Sequence, residues 1–96
     1  SLVILKKDAD SREPLAGAQF KVTTSKGDVV GTTNGLFTTD SNGSITIAGL
    51  EKGSYIIEEI KAPEGYVLEE QSRTIAIDYG KTYTEEFTNR KMNRFL

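Results

Sequence analysis

The stretch Ser54-Tyr55-Ile56-Ile57-Glu58-Glu59-Ile60-Lys61-Ala62-Pro63-Glu64-Gly65-Tyr66 decides how this chain is read. Residues 54–60 are rich in Tyr and Ile, the composition of a strand. Ala62-Pro63-Glu64-Gly65 ends it, because proline cannot donate to a ladder and glycine admits a turn. Alternate residues of a strand share a face. If Tyr55 and Ile57 point inward, so does the carboxyl of Glu59. If Ile56 and Ile60 point inward, Glu58 does so instead.

Two other runs pose the same choice. Ile4 leads to Lys6, and Phe87 leads to Asn89; in the opposite phase Val3 and Leu5 turn inward with Lys7. An inward Lys or Glu is costly unless it is paired or neutral. An amine, a carboxyl and a carboxamide turned into one core have a chemical reason to be there. The amine can form an amide with the carboxamide and tie the first strand to the last.

The rest of the chain is strand and turn. Leu2–Lys7 precedes a polar turn, Asp8–Pro14. Ala18–Thr24 alternates and meets a hairpin turn at Ser25-Lys26-Gly27-Asp28. Val29–Thr33 reads as a short strand. Thr38–Gly43 closes in an Asn42-Gly43 turn, and Ser44–Ala48 continues as strand. Leu50-Glu51-Lys52-Gly53 turns again. Tyr66–Glu69, Arg73–Asp78 and Thr82–Asn89 complete the set. No segment carries a capped helical repeat. About seven or eight short strands predict an all-β fold, an antiparallel β-sandwich of immunoglobulin-like type.

Ninety-six residues make one domain, here 1–91, with 92–96 as a tail or linker. So short a chain buries a modest core and benefits from a staple. With no Cys and no His, the staple is neither a disulfide nor a zinc site, and no cofactor or metal is expected. Twelve basic and fourteen acidic residues leave a net charge of -2, which argues against nucleic acid as a partner. No apolar run is long enough to insert into a membrane. Ser1 starts almost inside a strand, so the chain reads as a domain of a longer protein.

Several motifs together carry a resemblance. They are Lys6-Lys7-Asp8, Pro14-Leu15-Ala16-Gly17-Ala18-Gln19-Phe20, Thr39-Asp40-Ser41-Asn42-Gly43, Leu50–Tyr55, Glu59–Tyr66 and Phe87-Thr88-Asn89. From about Leu2 to Lys91 the sequence resembles the Cna B-type domain of Gram-positive surface adhesins and pilins, the SpaA-like or prealbumin-like group. The resemblance implies a prealbumin-like sandwich and the first of the two phases. It also implies roles: Lys6 and Asn89 are the cross-linked pair, and Glu59 assists. Localisation would be extracellular, on the bacterial cell wall, with neighbouring domains of the same protein as partners and a host matrix protein or glycan met through the parent.

The chemistry can be stated for such a trio. Burial disfavours the charged forms of both lysine and glutamic acid. A neutral amine is a nucleophile. A protonated Glu59 can polarise the Asn89 carbonyl and carry a proton from the attacking amine to the leaving ammonia. Amides are poor electrophiles, so placement must contribute roughly 7–11 kcal/mol of the barrier. The group reacts once, which is self-modification and not enzyme catalysis. The bond would close a long loop in the unfolded chain, worth about 4–5 kcal/mol by the disulfide-type entropy estimate.

The leading expectation is therefore a structural stalk or spacer module. The alternatives are an adhesive module whose loops bind a host protein or glycan, and an accessory sandwich of a secreted enzyme. Lys26-Gly27-Asp28 is better read as a hairpin turn than as an integrin-type tripeptide. Asp40-Ser41-Asn42-Gly43 lacks the closing ligands of a calcium loop. Asn42-Gly43-Ser44 fits a glycosylation sequon but is explained equally by the turn. Glu69-Glu70 and Glu85-Glu86 read as solvated charges, and Tyr55, Tyr66 and Phe20 as core.

Overall fold

The computed structural model describes residues 1–68 and 72–92. Seven strands follow one another: β1 (Leu2–Asp8), β2 (Gln19–Thr24), β3 (Leu36–Thr38), β4 (Ser44–Ile47), β5 (Gly53–Lys61), β6 (Ser72–Ile77) and β7 (Tyr83–Asn89). They form two sheets, β4-β1-β7 and β3-β2-β5-β6, and the described residues contain no helix. The domain is elongated, 49 × 22 × 20 Å.

Alternation places the core. Leu2, Ile4, Phe20, Val22, Ile57 and Phe87 are fully buried between the sheets. The inward phase on β1 is Leu2, Ile4, Lys6 and Asp8; on β5 it is Tyr55, Ile57 and Glu59; on β7 it is Phe87 and Asn89. Phe20 and Phe87 meet across the two sheets, ring centroids 5.0 Å apart and tilted by 58°. This edge-tilted geometry is the one aromatic quadrupoles favour.

The sandwich expected from the sequence is present, with one pairing of another kind. β1 pairs β4 antiparallel but pairs β7 in parallel, Lys6 opposite Phe87 and Asp8 opposite Asn89. Alternation fixes which face a residue occupies and says nothing about strand direction, so the first and last strands could not be oriented from periodicity.

Two expected strands are shorter than read. Val29 makes one bridge to Thr23, after which residues 31–35 form a turn. Gly31, Asn34 and Gly35 there take positive φ (79°, 59° and 78°), which interrupts extended backbone before β3 begins. Tyr66 makes one bridge to Lys91. Glu69 and Glu70, and the tail beyond Met92, lie outside the described residues.

The motif loops are stapled together by Thr39, which is buried. Its Oγ1 donates to Leu15 O at 2.8 Å and accepts from Ala18 N at 3.0 Å. The Asp40 turn closes on Gly43, with Asp40 Oδ1 accepting from Asn42 N and Ser44 N. Those two backbone donors, Ser44 first, hold the Asp40 carboxyl below the usual range.

Candidate functional site

Three strands deliver three buried polar side chains to one end of the core. Lys6 and Asn89 are fully buried, and Glu59 is 3% exposed. Lys6 and Asn89 come from adjacent strands of one sheet, two register positions apart. Glu59 comes from β5 in the facing sheet.

Glu59 lies between the other two. Lys6 Nζ donates to Glu59 Oε1 at 3.1 Å and lies 3.0 Å from Oε2. Asn89 Nδ2 donates to the same Oε1 at 3.2 Å and to the backbone carbonyl of Val67 at 3.2 Å. Oε2 is near the amine without hydrogen-bond alignment, and Asn89 Oδ1 has no hydrogen-bond partner among the described residues. A carbonyl can only accept, so the Val67 contact selects the amide orientation with nitrogen toward Glu59. Glu59 thus faces the nitrogen of the amide. Polarisation of the carbonyl oxygen by Glu59, expected from the sequence, is not the contact present.

The walls of the site are apolar. Lys6 Nζ lies 5.8 Å from the centroid of Phe20 and 5.9 Å from that of Phe87. The rings exclude water, while their faces still attract a cation. A charged Lys–Glu pair in such a place carries a desolvation penalty of several kcal/mol per ion. The neutral amine and acid avoid that penalty, and the neutral amine is the reactive form.

Beside the trio stands a second polar pair that sequence reasoning left among the turn and core residues. Asp8, 5% exposed, accepts from Tyr66 Oη at 2.7 Å through Oδ2. Its Oδ1 accepts from Asp10 N at 2.8 Å and Ser11 N at 3.0 Å. These donors, the Tyr66 hydroxyl first, lower the Asp8 carboxyl to about 2. The same bond, with burial, raises the Tyr66 phenol to about 12. The signal for Asp8 was available: it follows Lys6 by two residues and shares its face.

The other singled-out residues lie apart from the trio. Lys7 is partly exposed and pairs with Glu86 at 3.1 Å, which Arg12 also reaches. The carboxyl of Glu86 is held low chiefly by its hydrogen bond from Lys7. Lys26-Gly27-Asp28 occupies the β2 hairpin turn, with Gly27 N donating to Thr24 O. Tyr55 is buried, and its hydroxyl donates to Glu51 O at 2.6 Å. Among the described residues no cluster of three acidic or metal-ligating side chains could hold a metal ion.

Comparison with known proteins agrees with this architecture. The family profile of the SpaA prealbumin-like fold domain matches residues 1–91. The collagen adhesin of Staphylococcus aureus is 37% identical over 70 residues, which are 71% of this chain and 6% of the adhesin. The minor pilin GBS52 of Streptococcus agalactiae superposes with a TM-score of 0.83 at 29% identity, covering 99% of this chain and 45% of the pilin. The major pilin subunit BcpA of Bacillus cereus gives 0.79 at 27% identity, covering 92% and 27%. The chain therefore spans a small part of the length of its adhesin relative and less than half of these pilin chains.

Proposed function

The chain belongs to the SpaA family of prealbumin-like fold domains, and on that premise we propose that it is a stalk or spacer module of a Gram-positive surface adhesin or pilin, sealed by a bond between Lys6 and Asn89. The parent protein stands on the cell wall, and the partners of this domain are its neighbours in the same polypeptide. Its relatives include an adhesin and pilins, which supports a structural module, and the chemistry proposed for it is a single self-modification.

One observation carries the reading: a fully buried amine and a fully buried carboxamide hydrogen-bond one oxygen of the same carboxyl group. The neutral Lys6 Nζ attacks Asn89 Cγ and the Nζ–Cγ bond forms. The Cγ–Nδ2 bond breaks as protonated Glu59 gives its proton to Nδ2 and takes one from Nζ in exchange, and ammonia leaves. Starting from neutral amine and acid, the acid ends as it began and an uncharged amide replaces the amine. Rigid placement substitutes for an activated electrophile, and proton transfer by a positioned carboxyl contributes about 10²–10⁴-fold.

The test is an intact mass under denaturing conditions, followed by digestion. The expected result is a mass short by one ammonia and a linked peptide containing Lys6 and Asn89. A full mass would leave the fold assignment standing and remove the covalent reinforcement.

A further inference from the structure

The proposed reaction needs more than three residues in contact. The carboxamide must hold its nitrogen toward Glu59, and rotation by half a turn would present Oδ1 instead. The group that decides this is the Val67 carbonyl, which takes the second Nδ2 hydrogen. Val67 lies in the connector after β5, outside any strand. Its backbone is held by Val67 N donating to Arg90 O at 2.9 Å and by Met92 N donating to Gly65 O at 3.0 Å, around the lone Tyr66–Lys91 bridge. The one bridge among the described residues gives little support, because an isolated two-stranded pairing is marginal in water.

The side chain of Tyr66 supplies the missing anchor. Its hydroxyl reaches Asp8 Oδ2 at 2.7 Å. Asp8 cannot swing, since Oδ1 is fixed by two backbone N–H groups. Asp8 is also the register partner of Asn89, and Ala9 N donates to Asn89 O at 2.9 Å. The same short piece of β1 therefore fixes the backbone of Asn89 directly and its side chain through Tyr66 and Val67.

We propose that Asp8 and Tyr66 are positioning residues for the cross-link: their hydrogen bond clamps the connector to the end of β1, so that the Val67 carbonyl keeps the Asn89 nitrogen facing Glu59. This rests on the cross-linking reading above. Both act by excluding the unreactive orientation of the amide.

The experiment follows the reaction in time. Chains recovered unfolded from inclusion bodies are refolded, and samples are quenched in denaturant and weighed. Tyr66→Phe keeps the ring and loses only the hydroxyl. It should fold at the wild-type rate and lose ammonia roughly ten- to hundredfold more slowly, the scale of a small misplacement. Asp8→Ala should slow the reaction similarly, and the double variant should be no slower than either, because both remove one link. In a Lys6→Ala background, which cannot react, Tyr66→Phe should move the Asn89 side-chain NH₂ resonances. A stability effect alone would leave those resonances in place. Equal ammonia-loss rates in wild type and Tyr66→Phe would overturn this inference and spare the cross-link. A wild type that never loses ammonia would overturn both.

Discussion

Gly43 and Lys6 are in backbone contact. Lys6 N donates to Gly43 O at 2.8 Å, and a Cβ on Gly43 would stand 2.7 Å from Lys6 O and 2.7 Å from Leu15 N. Gly43 also has φ of +68°, a conformation that side chains resist. The turn after Thr39 is therefore packed onto the strand that carries Lys6.

Gly43→Ala should lower stability by roughly 2–4 kcal/mol, since strain and backbone overlap add. Guanidinium denaturation measures this. An unchanged midpoint would mean that the turn yields freely and does not support Lys6.

Glu59→Gln should fold and lose ammonia at least about a hundredfold more slowly, because an amide cannot shuttle the proton. Lys6→Ala should abolish the mass loss. Lys7→Ala should leave it intact and cost about 0–1 kcal/mol, as its partner Glu86 is a surface carboxylate that Arg12 also holds. Mass spectrometry of the three purified variants separates these outcomes, and a normal mass deficit in Glu59→Gln would remove the proton shuttle.

The Asp8 carboxyl, lowered to about 2 in the fold, makes stability depend on acid. A depressed folded value means that the contribution is fully present above the unfolded carboxylate value of about 4 and is lost as pH falls toward 2. The urea midpoint should therefore drop over that window. In Asp8→Asn the drop should be smaller. Parallel acid profiles for the two proteins would show that Asp8 does not carry the linkage.

Phe87 serves the site as a wall. Phe87→Leu should cost about 1–2 kcal/mol by losing the contact with Phe20, yet preserve ammonia loss, because leucine still excludes water. Thermal melts and mass read the two effects separately. A stalled reaction in Phe87→Leu would assign the aromatic face itself a part in holding the amine.

The alternation of Tyr55, Ile57 and Glu59, and of Ile4 and Lys6, was legible because a strand between two sheets must sort its residues by face. The phase itself needed the neighbouring motifs, since Ile56 and Ile60 offer an equally apolar face. The same rule predicts an inward Asp8. It was overlooked because an acidic residue opening a polar turn is ordinarily solvated. The role of Val67 was invisible, as a backbone carbonyl carries no side-chain signature. The positive φ of Gly31, in the middle of Val29–Thr33, erased a strand that composition alone supported.

Because β1 and β7 run in the same direction, the start of one and the end of the other lie at opposite ends of the shared ladder. A pull applied between Ser1 and Met92 would shear that ladder, straining all its hydrogen bonds together, whereas an antiparallel pair would be unzipped one rung at a time. The ladder ends at Asp8 and Asn89, beside the proposed bond. With that bond formed, Ser1 to Leu5 and Arg90 to Met92 could pay out before tension reached a covalent stop. The domain would then act as a nearly inextensible link with a few residues of slack at each end.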